Sequence, residues 1–267
     1  MTTNIIITGG LGKMGREIGS CVLDDAECRL AGCVEYPGHP SIGRDYGECT
    51  GRGAIGVPLS GSLAGLPVAT SVIIDFSSTQ ATLSFLAECL GKKSRIVICT
   101  TGFDPAGIEK IKQASQMIPV VFSPNMSLGV NLLFVLTELA AKKLGGAFDI
   151  EIVEAHHRHK KDAPSGTAVR LGEIAASAIG MTYQDAIKNG RAGMVGARTN
   201  REIGMHAVRG GDIVGDHTVL FAGLGERLEL RHVAHSRTTF AQGAVTAAKW
   251  LAGQGLGLYS MRDVLGL

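Results

Sequence analysis

The stretch Asn4-Ile5-Ile6-Ile7-Thr8-Gly9-Gly10-Leu11-Gly12-Lys13-Met14-Gly15-Arg16 decides the fold of this chain. A short apolar strand candidate, Asn4–Thr8, leads directly into a segment that matches G-x-G-x-x-G, and Met14, Ile18 and Val22 then recur at helical spacing. Glycines allow a tight turn and a close approach of the backbone to a pyrophosphate, while the helix N-terminus offers N–H groups to the phosphates. The stretch therefore predicts the first strand, loop and helix of a dinucleotide-binding unit.

An acidic residue stands where such a unit needs one. Glu35 closes the next predicted strand, Cys28–Glu35, twenty residues after Gly15. At that position a carboxylate would hold the ribose hydroxyls of an adenosine. A glycine pattern alone could be only a structural turn, but together with this acid it indicates NADH or NADPH. Tyr36 offers no clamp for a 2′-phosphate, whereas Lys13 and Arg16 could, so the choice between the two cofactors stays open.

Short β-rich runs alternate with helical segments through the first half of the chain. The further strand candidates are Val72–Phe76, Arg95–Thr100 and Pro119–Ser123, with helices expected over Ser78–Leu90 and Pro105–Gln116. This alternation predicts an α/β fold with a Rossmann-type parallel sheet domain and helices on both faces. The segment Tyr36–Pro67 is rich in Gly and Pro and is expected to be mostly loop.

The pattern changes in the second half. A long helix over Leu128–Leu144 precedes a strand over Phe148–Ala155 and a helix over Ser165–Ala178 with Ser165 near its N-cap. Three strand-like runs follow, and consecutive runs of this kind usually pair antiparallel. They are Glu202–Val208, Ile213–Phe221 and Arg227–Val233. The second half is therefore expected to be an α+β domain with a mixed open sheet.

The boundary between the two domains is expected near Ser127. Residues 1–127 and 237–267 would form the dinucleotide-binding domain, because the last predicted helix, Thr239–Leu251, carries an apolar stripe that can cover the first sheet. Residues 128–236 would form a domain for substrate binding and oligomerisation.

Composition excludes several classes of partner. The chain has 267 residues and a net charge of +2, which gives no support for a nucleic-acid partner. Its six cysteines form no C-x-x-C pair and are expected to be reduced thiols. No apolar run is long enough for a membrane span, and Ile5–Ile7 is too short for a secretory signal. We therefore expect a cytoplasmic protein without a membrane partner.

One stretch concentrates reactive side chains, namely Glu154-Ala155-His156-His157-Arg158-His159-Lys160-Lys161-Asp162-Ala163-Pro164-Ser165-Gly166-Thr167. A dicarboxylate substrate would find cations there for its carboxylates, and an imidazole that transfers a proton near neutral pH. Composition alone leaves two other interpretations open. A basic run can be a solvated surface, and three histidines can suggest a metal, although their spacing of i, i+1 and i+3 matches no standard zinc pattern.

This stretch resembles the signature of the dihydrodipicolinate reductases, and other segments agree with that family in the same order. They are Gly9–Arg16, Asp75–Ser77, Thr100–Phe103, Pro124–Asn131 and Arg209–Gly215. The resemblance covers nearly the whole chain. It implies a homotetrameric oxidoreductase that transfers a hydride from NADH or NADPH to a small cyclic imine dicarboxylate, 4-hydroxy-tetrahydrodipicolinate or dihydrodipicolinate. The product would be tetrahydrodipicolinate, in the diaminopimelate and lysine pathway.

The resemblance also implies roles for single residues, with no metal among the ligands. His156 would donate the proton, and Lys160 would be its partner at the imine. The implied substrate ligands are His157, Lys160, Ser165, Gly166 and Thr167. The implied cofactor ligands are Gly9, Gly10, Leu11, Gly12, Lys13, Met14, Gly15, Arg16, Glu35, Phe76, Cys99, Thr100, Thr101, Ser123, Pro124, Asn125 and Met126. Cys99 stands where the family more often has glycine, and His159 and Lys161 are left outside the site.

Two other functions are alternatives to a reductase. A Rossmann dehydrogenase acting on a semialdehyde would need a thiol nucleophile, and no cysteine follows Cys99 in the chain. A nucleotide-sensing regulator without chemistry would not need the His/Lys cluster. For the reductase, closure between the two domains is the family expectation, which would make the segments that join them functional.

Overall fold

The computed structural model describes residues 2–267 and divides them into two compact units. One unit runs to Leu128 and resumes at Arg237–Leu267, and the other is Gly129–Ser236. The strands of the first unit up to Leu128 are β1 (Thr3–Thr8), β2 (Cys28–Val34), β3 (Leu59–Ser60), β4 (Val72–Asp75), β5 (Arg95–Ile98) and β6 (Pro119–Phe122). Its helices in that span are α1 (Lys13–Asp24), α2 (Tyr46–Thr50), α3 (Thr79–Lys92) and α4 (Pro105–Ser115).

The second unit begins within the long helix α5 (Leu128–Leu144). It continues through β7 (Asp149–His156), α6 (Gly166–Ala178), α7 (Tyr183–Ala186), β8 (Ile187–Asn189), β9 (Ile203–Arg209), β10 (Gly215–Ala222) and β11 (Arg227–Ala234). The chain then returns to the first unit with α8 (Thr238–Leu251), β12 (Gly257–Tyr259) and α9 (Met261–Val264).

The first unit contains a seven-stranded parallel sheet in the order β12-β6-β5-β4-β1-β2-β3. Side chains alternate along β1, so Ile5 and Ile7 pack with α1 and α8 while Ile6 packs with α3 and α4 on the other face. Burial on both faces explains why these strands are continuous apolar runs. The predicted Rossmann-type sheet with helices on both faces is confirmed.

The parallel strands end one or two residues earlier than their sequence pattern indicated. Phe76, Cys99, Thr100 and Ser123 belong to the predicted strands but lie just beyond β4, β5 and β6. Their residue types favour extended backbone, yet the chain leaves the sheet there to form the loops at its carboxyl edge. In open α/β sheets that edge is where ligands bind.

The second unit contains a five-stranded mixed sheet in the order β11-β10-β7-β9-β8. The predicted antiparallel pairing of consecutive runs holds for β10 with β11, but β9 and β10 do not pair with each other. Strand β7 lies between them, parallel to β9 and antiparallel to β10. Every second residue of β7, from Ile150 to His156, is buried, so one face of the strand is covered.

Several short elements carry too little pattern to be predicted. The segment Tyr36–Pro67 is mostly loop but includes α2 and β3. Asp45 organises this segment, because its carboxylate caps α2 and also accepts N–H bonds from Ile55, Gly56 and Val57.

Within residues 2–267, no helix is both long and apolar enough to span a membrane.

Candidate active site

The glycine loop between β1 and α1 has the geometry of a phosphate cradle. Gly9 has a φ of +68°, a conformation that favours glycine. A Cβ on Gly15 would lie 2.2 Å from the carbonyl oxygen of Gly9, so only glycine lets the helix start this close to the loop. Gly12 precedes α1 with extended backbone, and among residues 2–267 no side chain caps this helix N-terminus. The N–H groups of its first turn therefore suit a pyrophosphate.

Glu35 lies directly beside this loop. Its Oε1 accepts a hydrogen bond from the backbone N–H of Leu11 at 2.7 Å, and its Oε2 accepts one from Tyr36 at 3.3 Å. Tyr36 is 61% exposed, and its ring meets that of His39 edge to face. The guanidinium of Arg16 donates to the carbonyl oxygens of Leu11 and Cys49. The carboxylate of Glu35 is therefore fixed beside the glycine loop, where it can accept hydrogen bonds from the ribose hydroxyls of an adenosine.

A cleft of about 660 Å³ opens at the carboxyl edge of the parallel sheet. Eight of the residues implied as cofactor ligands line it, namely Met14, Phe76, Cys99, Thr100, Thr101, Pro124, Asn125 and Met126. Ser123 is buried close by, and its hydroxyl donates to the carbonyl oxygen of Asn125 at 2.8 Å. Five further residues line the cleft but were not predicted as cofactor ligands, namely Ser77, Ser78, Thr79, Gly102 and Phe240. A cleft of this size suits the nicotinamide end of a dinucleotide.

A buried carboxylate joins the strand ends beneath this cleft. Asp75 is fully buried and accepts hydrogen bonds from four hydroxyl groups, those of Thr8, Ser77, Thr82 and Thr100, at 2.5–2.9 Å. The hydroxyl of Thr100 in turn accepts the backbone N–H of Ser77 at 3.2 Å. Thr8 and Asp75 end the neighbouring strands β1 and β4, and Thr100 lies just beyond β5. This cluster therefore fixes two lining residues, Ser77 and Thr100.

Cys99 lines the cleft but is unsuited to nucleophilic chemistry. The residue is 3% exposed. Burial, together with the negative charge of Asp75, raises the pKa of the Cys99 thiol well above its ordinary value. The thiol is therefore neutral at physiological pH, whereas a nucleophile would need the thiolate.

In the second unit, His156 ends β7 with a carboxylate beside its ring. Its Nδ1 lies 2.6 Å from Oε2 of Glu154, whose side chain is fully buried. The two residues share a strand face because they are two positions apart. The other carboxylate oxygen of Glu154 accepts the backbone N–H of Ser165 at 3.0 Å. Sequence reasoning missed Glu154, although the i, i+2 spacing on a predicted strand was a usable signal.

Arg209 neutralises this buried carboxylate. Its two terminal nitrogens donate to Oε2 and Oε1 of Glu154 at 2.8 Å and 2.7 Å. Burial would raise the pKa of Glu154, but the hydrogen bonds from Arg209, His156 and Ser165 outweigh that effect and leave the pKa below its ordinary value. Glu154 is therefore ionised at neutral pH and acts only as an acceptor.

A second histidine packs against His156. The ring of His217 meets that of His156 edge to face at 5.2 Å, and its Nε2 lies 3.0 Å from the hydroxyl of Ser165. Burial, with a smaller contribution from His156, lowers the pKa of His217 to about 4. His217 is therefore neutral where His156 would work. No motif in the sequence of β10 predicted that His217 would lie beside His156.

The implied substrate ligands occupy the loop after β7 and the start of α6. Ser165 caps α6, accepting the backbone N–H of Ala168, and Gly166 and Thr167 form the first residues of that helix. Lys160 is half-buried, and its ammonium lies 3.0 Å from the carboxylate of Asp162. The backbone N–H of Lys160 donates to the carbonyl oxygen of His157. His159 is exposed.

Comparisons with known proteins agree along the full length of the chain. Residues 3–126 match the family model described as "Dihydrodipicolinate reductase, N-terminus", and residues 129–265 match the one described as "Dihydrodipicolinate reductase, C-terminus". A curated 4-hydroxy-tetrahydrodipicolinate reductase from Thiobacillus denitrificans is 49% identical over 267 residues and covers 100% of both chains. The one from Magnetococcus marinus is 50% identical over 266 residues, 100% of this chain and 99% of its own.

Solved structures share the fold. A dipicolinate-bound dihydrodipicolinate reductase from Paenisporosarcina sp. TG-14 superposes with a TM-score of 0.79 at 24% identity, covering 98% of this chain and 99% of its own. A scyllo-inositol dehydrogenase from Lactobacillus casei, solved with bound NAD(H), has a TM-score of 0.60 at 11% identity and covers 99% and 93% of the two chains. The first unit therefore has the fold of nicotinamide-dinucleotide-binding domains.

Proposed function

The chain belongs to the dihydrodipicolinate reductase family, and on that premise we propose that it reduces 4-hydroxy-tetrahydrodipicolinate to tetrahydrodipicolinate with NADH or NADPH. This is the reduction step of diaminopimelate and lysine biosynthesis, and the enzyme would carry it out in the cytoplasm as a homotetramer. The observation that supports the chemistry best is the Glu154–His156 contact of 2.6 Å, which leaves Nε2 of His156 available for proton transfer.

The first unit would hold the cofactor. The first turn of α1 would bind the pyrophosphate, Glu35 the adenosine ribose, and the loops after β4, β5 and β6 the nicotinamide ring. When bound, the reduced nicotinamide supplies the hydride. Because Cys99 carries a neutral, buried thiol, we propose that it replaces the usual glycine without taking part in the chemistry.

The second unit would hold the dicarboxylate. One carboxylate would accept N–H and hydroxyl bonds from Gly166 and Thr167 at the start of α6, where the helix dipole favours a negative charge. His157 would bind the other carboxylate, and the ammonium of Lys160 would offset negative charge that develops on the ring. Asp162, 63% exposed, would exchange its contact with Lys160 for water when the substrate arrives.

His156 would complete the reaction by proton donation. Hydride addition at the ring carbon remote from the nitrogen gives an enamine, and that enamine accepts the proton of Nε2, or of a water that Nε2 orients. With the hydroxylated substrate, water also leaves the ring. The proton that is lost from His156 is regained from solvent, so the protein is unchanged after each cycle.

Steady-state turnover tests this proposal. Loss of absorbance at the reduced-nicotinamide band is expected with enzymatically generated 4-hydroxy-tetrahydrodipicolinate, measured with NADH and NADPH in parallel. The control reaction contains cofactor and enzyme but no substrate. Cofactor binding with no turnover on either the hydroxylated or the dehydrated ring would instead support a nucleotide-sensing regulator.

A further inference from the structure

The segment Arg209–Gly215 has no part in the function proposed above, yet it surrounds His156. It joins the end of β9 to the start of β10, and these two strands lie on opposite sides of β7 in the sheet. The backbone N–H of Gly210 donates to the carbonyl oxygen of His156 at 3.0 Å, and that of Arg158 donates to Gly211 at 3.2 Å. The segment therefore fixes the backbone on which the histidine is carried.

Gly215 shapes the space beside the imidazole. A Cβ at this position would lie 3.0 Å from Nε2 and 3.4 Å from Cδ2 of His156. The first distance is at the short limit of real Cβ contacts. Glycine therefore allows the ring to rest against β10 with Nε2 unobstructed by a side chain on that strand.

Arg209 fixes the carboxylate that contacts the other side of the ring. Besides its two bonds to Glu154, it donates to the carbonyl oxygens of Val208 and Asp162, each at 2.7 Å. A planar guanidinium with these four bonds has little rotational freedom. Since Ser165 donates to the same carboxylate, Glu154 is fixed on two sides while it accepts from His156.

We infer that Glu154 is a positioning residue for His156 and that Arg209 keeps it in place. An ionised carboxylate can only accept, so the hydrogen between the two side chains resides on Nδ1 of the imidazole. Nε2 is then the nitrogen that exchanges a proton with the substrate. In each turnover the N–H bond at Nε2 breaks and a C–H bond forms on the ring, while Glu154 stays ionised and Nδ1 keeps its hydrogen.

This inference rests on the proposed function, in which His156 is the proton donor. The alternative is that Glu154 and Arg209 form a buried ion pair that contributes only to folding. The charged and titratable groups around His156 are Glu154 on β7, Arg209 on β9 and His217 on β10. Of these three groups, Glu154 is the one that contacts Nδ1 of His156.

The test compares Glu154→Gln with a matched control, Glu151→Gln. Glu151 lies on the same strand but on the opposite face, where it also binds two arginines and a histidine, Arg191, Arg198 and His206. For each variant, kcat, KM, NADH affinity and thermal unfolding are measured. We expect Glu154→Gln to lower kcat about tenfold or more with NADH affinity within twofold of wild type, and Glu151→Gln to keep kcat within about twofold.

A spectroscopic measurement on the free enzyme separates this inference from the proposed function. Solid-state ¹⁵N spectra of histidine-labelled protein report which ring nitrogen carries the hydrogen, and the His156 signals are assigned by their loss in His156→Gln. At alkaline pH we expect the hydrogen on Nδ1 in wild type and a mixture of both forms in Glu154→Gln. No substrate is needed, so this result does not depend on which reaction the enzyme catalyses.

Arg209→Lys covers the case in which Glu154→Gln fails to fold. It keeps a positive charge near Glu154 but cannot make the paired bonds, so kcat should fall by at least about threefold and the Nε2–H form should increase. The inference is overturned if the hydrogen stays on Nδ1 in the folded variants, or if Glu154→Gln and Glu151→Gln have the same kcat. Full activity in His156→Gln would instead contradict the proposed function.

Discussion

The backbone N–H of Leu11 and the carboxylate of Glu35 are joined by a hydrogen bond of 2.7 Å, so the acid just after β2 is fixed by the glycine loop that follows β1. This bond uses one lone pair of Oε1, while Oε2 accepts the backbone N–H of Tyr36. A carboxylate in this place can accept from ribose hydroxyls and repels a 2′-phosphate.

Replacing Glu35 should therefore affect the cofactor more than the chemistry. Glu35→Ala is expected to raise KM for NADH about tenfold or more with little change in kcat, since a hydrogen bond to a charged group contributes roughly 1.5–3 kcal/mol. Glu35→Gln keeps an acceptor for Leu11 but removes the charge, so it should improve the use of NADPH relative to NADH. Initial rates with both cofactors measure this. A wild-type enzyme that strongly prefers NADPH would show that Lys13 or Arg16 binds the phosphate.

Asp75 should control the shape of the cofactor cleft. Asp75→Asn places an NH₂ group against hydroxyls that now donate to a carboxylate, and we expect it to lower the free energy of unfolding by about 1–3 kcal/mol and to weaken NADH binding. Thermal unfolding and fluorescence titration with NADH measure the two effects. Thr82→Val is the comparison, because Thr82 bonds Asp75 from α3 and does not line the cleft. An unchanged NADH affinity in Asp75→Asn would contradict the assignment.

Burial of His217 predicts how stability depends on pH. Burial lowers the pKa of His217 to about 4 from an ordinary value of 6.5. Between these values the unfolded chain binds a proton that the folded protein does not, so the free energy of unfolding falls as the pH falls from 6.5 to 4. The loss amounts to at most about 3 kcal/mol. Urea unfolding at a series of pH values should show a flatter dependence in His217→Gln. Parallel curves for wild type and variant would rule out this origin.

The exposed face of the second sheet should assemble the protein. Val208 and Val233 are 48% and 37% exposed on β9 and β11, while α5 and α6 pack on the opposite face. Apolar side chains on an open sheet are suited to a symmetric interface. We expect light scattering to give four times the chain mass, and Val208→Asp to give a smaller species. A wild-type monomer at micromolar concentration would exclude the homotetramer.

The sequence predicted those parts of the fold that depend on local periodicity. The strand, glycine loop and helix around Gly10 and the long helix Leu128–Leu144 have patterns that neighbouring residues alone determine. The placement of β7 between β9 and β10 could not be predicted, because register depends on contacts between residues far apart in the chain.

In the candidate site, too, local motifs could be predicted and contacts between distant residues could not. The residues that would touch ligand lie in recognisable motifs, such as His156 and Lys160. The residues that support them do not, because Arg209 and His217 reach Glu154 and Ser165 only through the pairing of three strands. Asp75 was visible only as part of a family segment, since its four hydroxyl partners come from β1, α3 and the loops after β4 and β5.

The central claim is that His156 and Lys160 carry the proton and charge roles, and a set of three variants tests it. His156→Gln and Lys160→Ala remove groups that act in the transition state, and losing a positioned general acid costs about 10²–10⁴ in rate. His159→Gln changes an exposed histidine in the same loop and is the control.

The measurement is turnover with 4-hydroxy-tetrahydrodipicolinate, with thermal unfolding and NADH affinity determined for the same variants. It tests whether His156 and Lys160 act in the reaction. We expect His156→Gln and Lys160→Ala to lose at least about tenfold in kcat while keeping wild-type melting curves and NADH binding, and His159→Gln to stay near wild type. Full activity in His156→Gln together with loss of activity in His159→Gln would contradict the assignment.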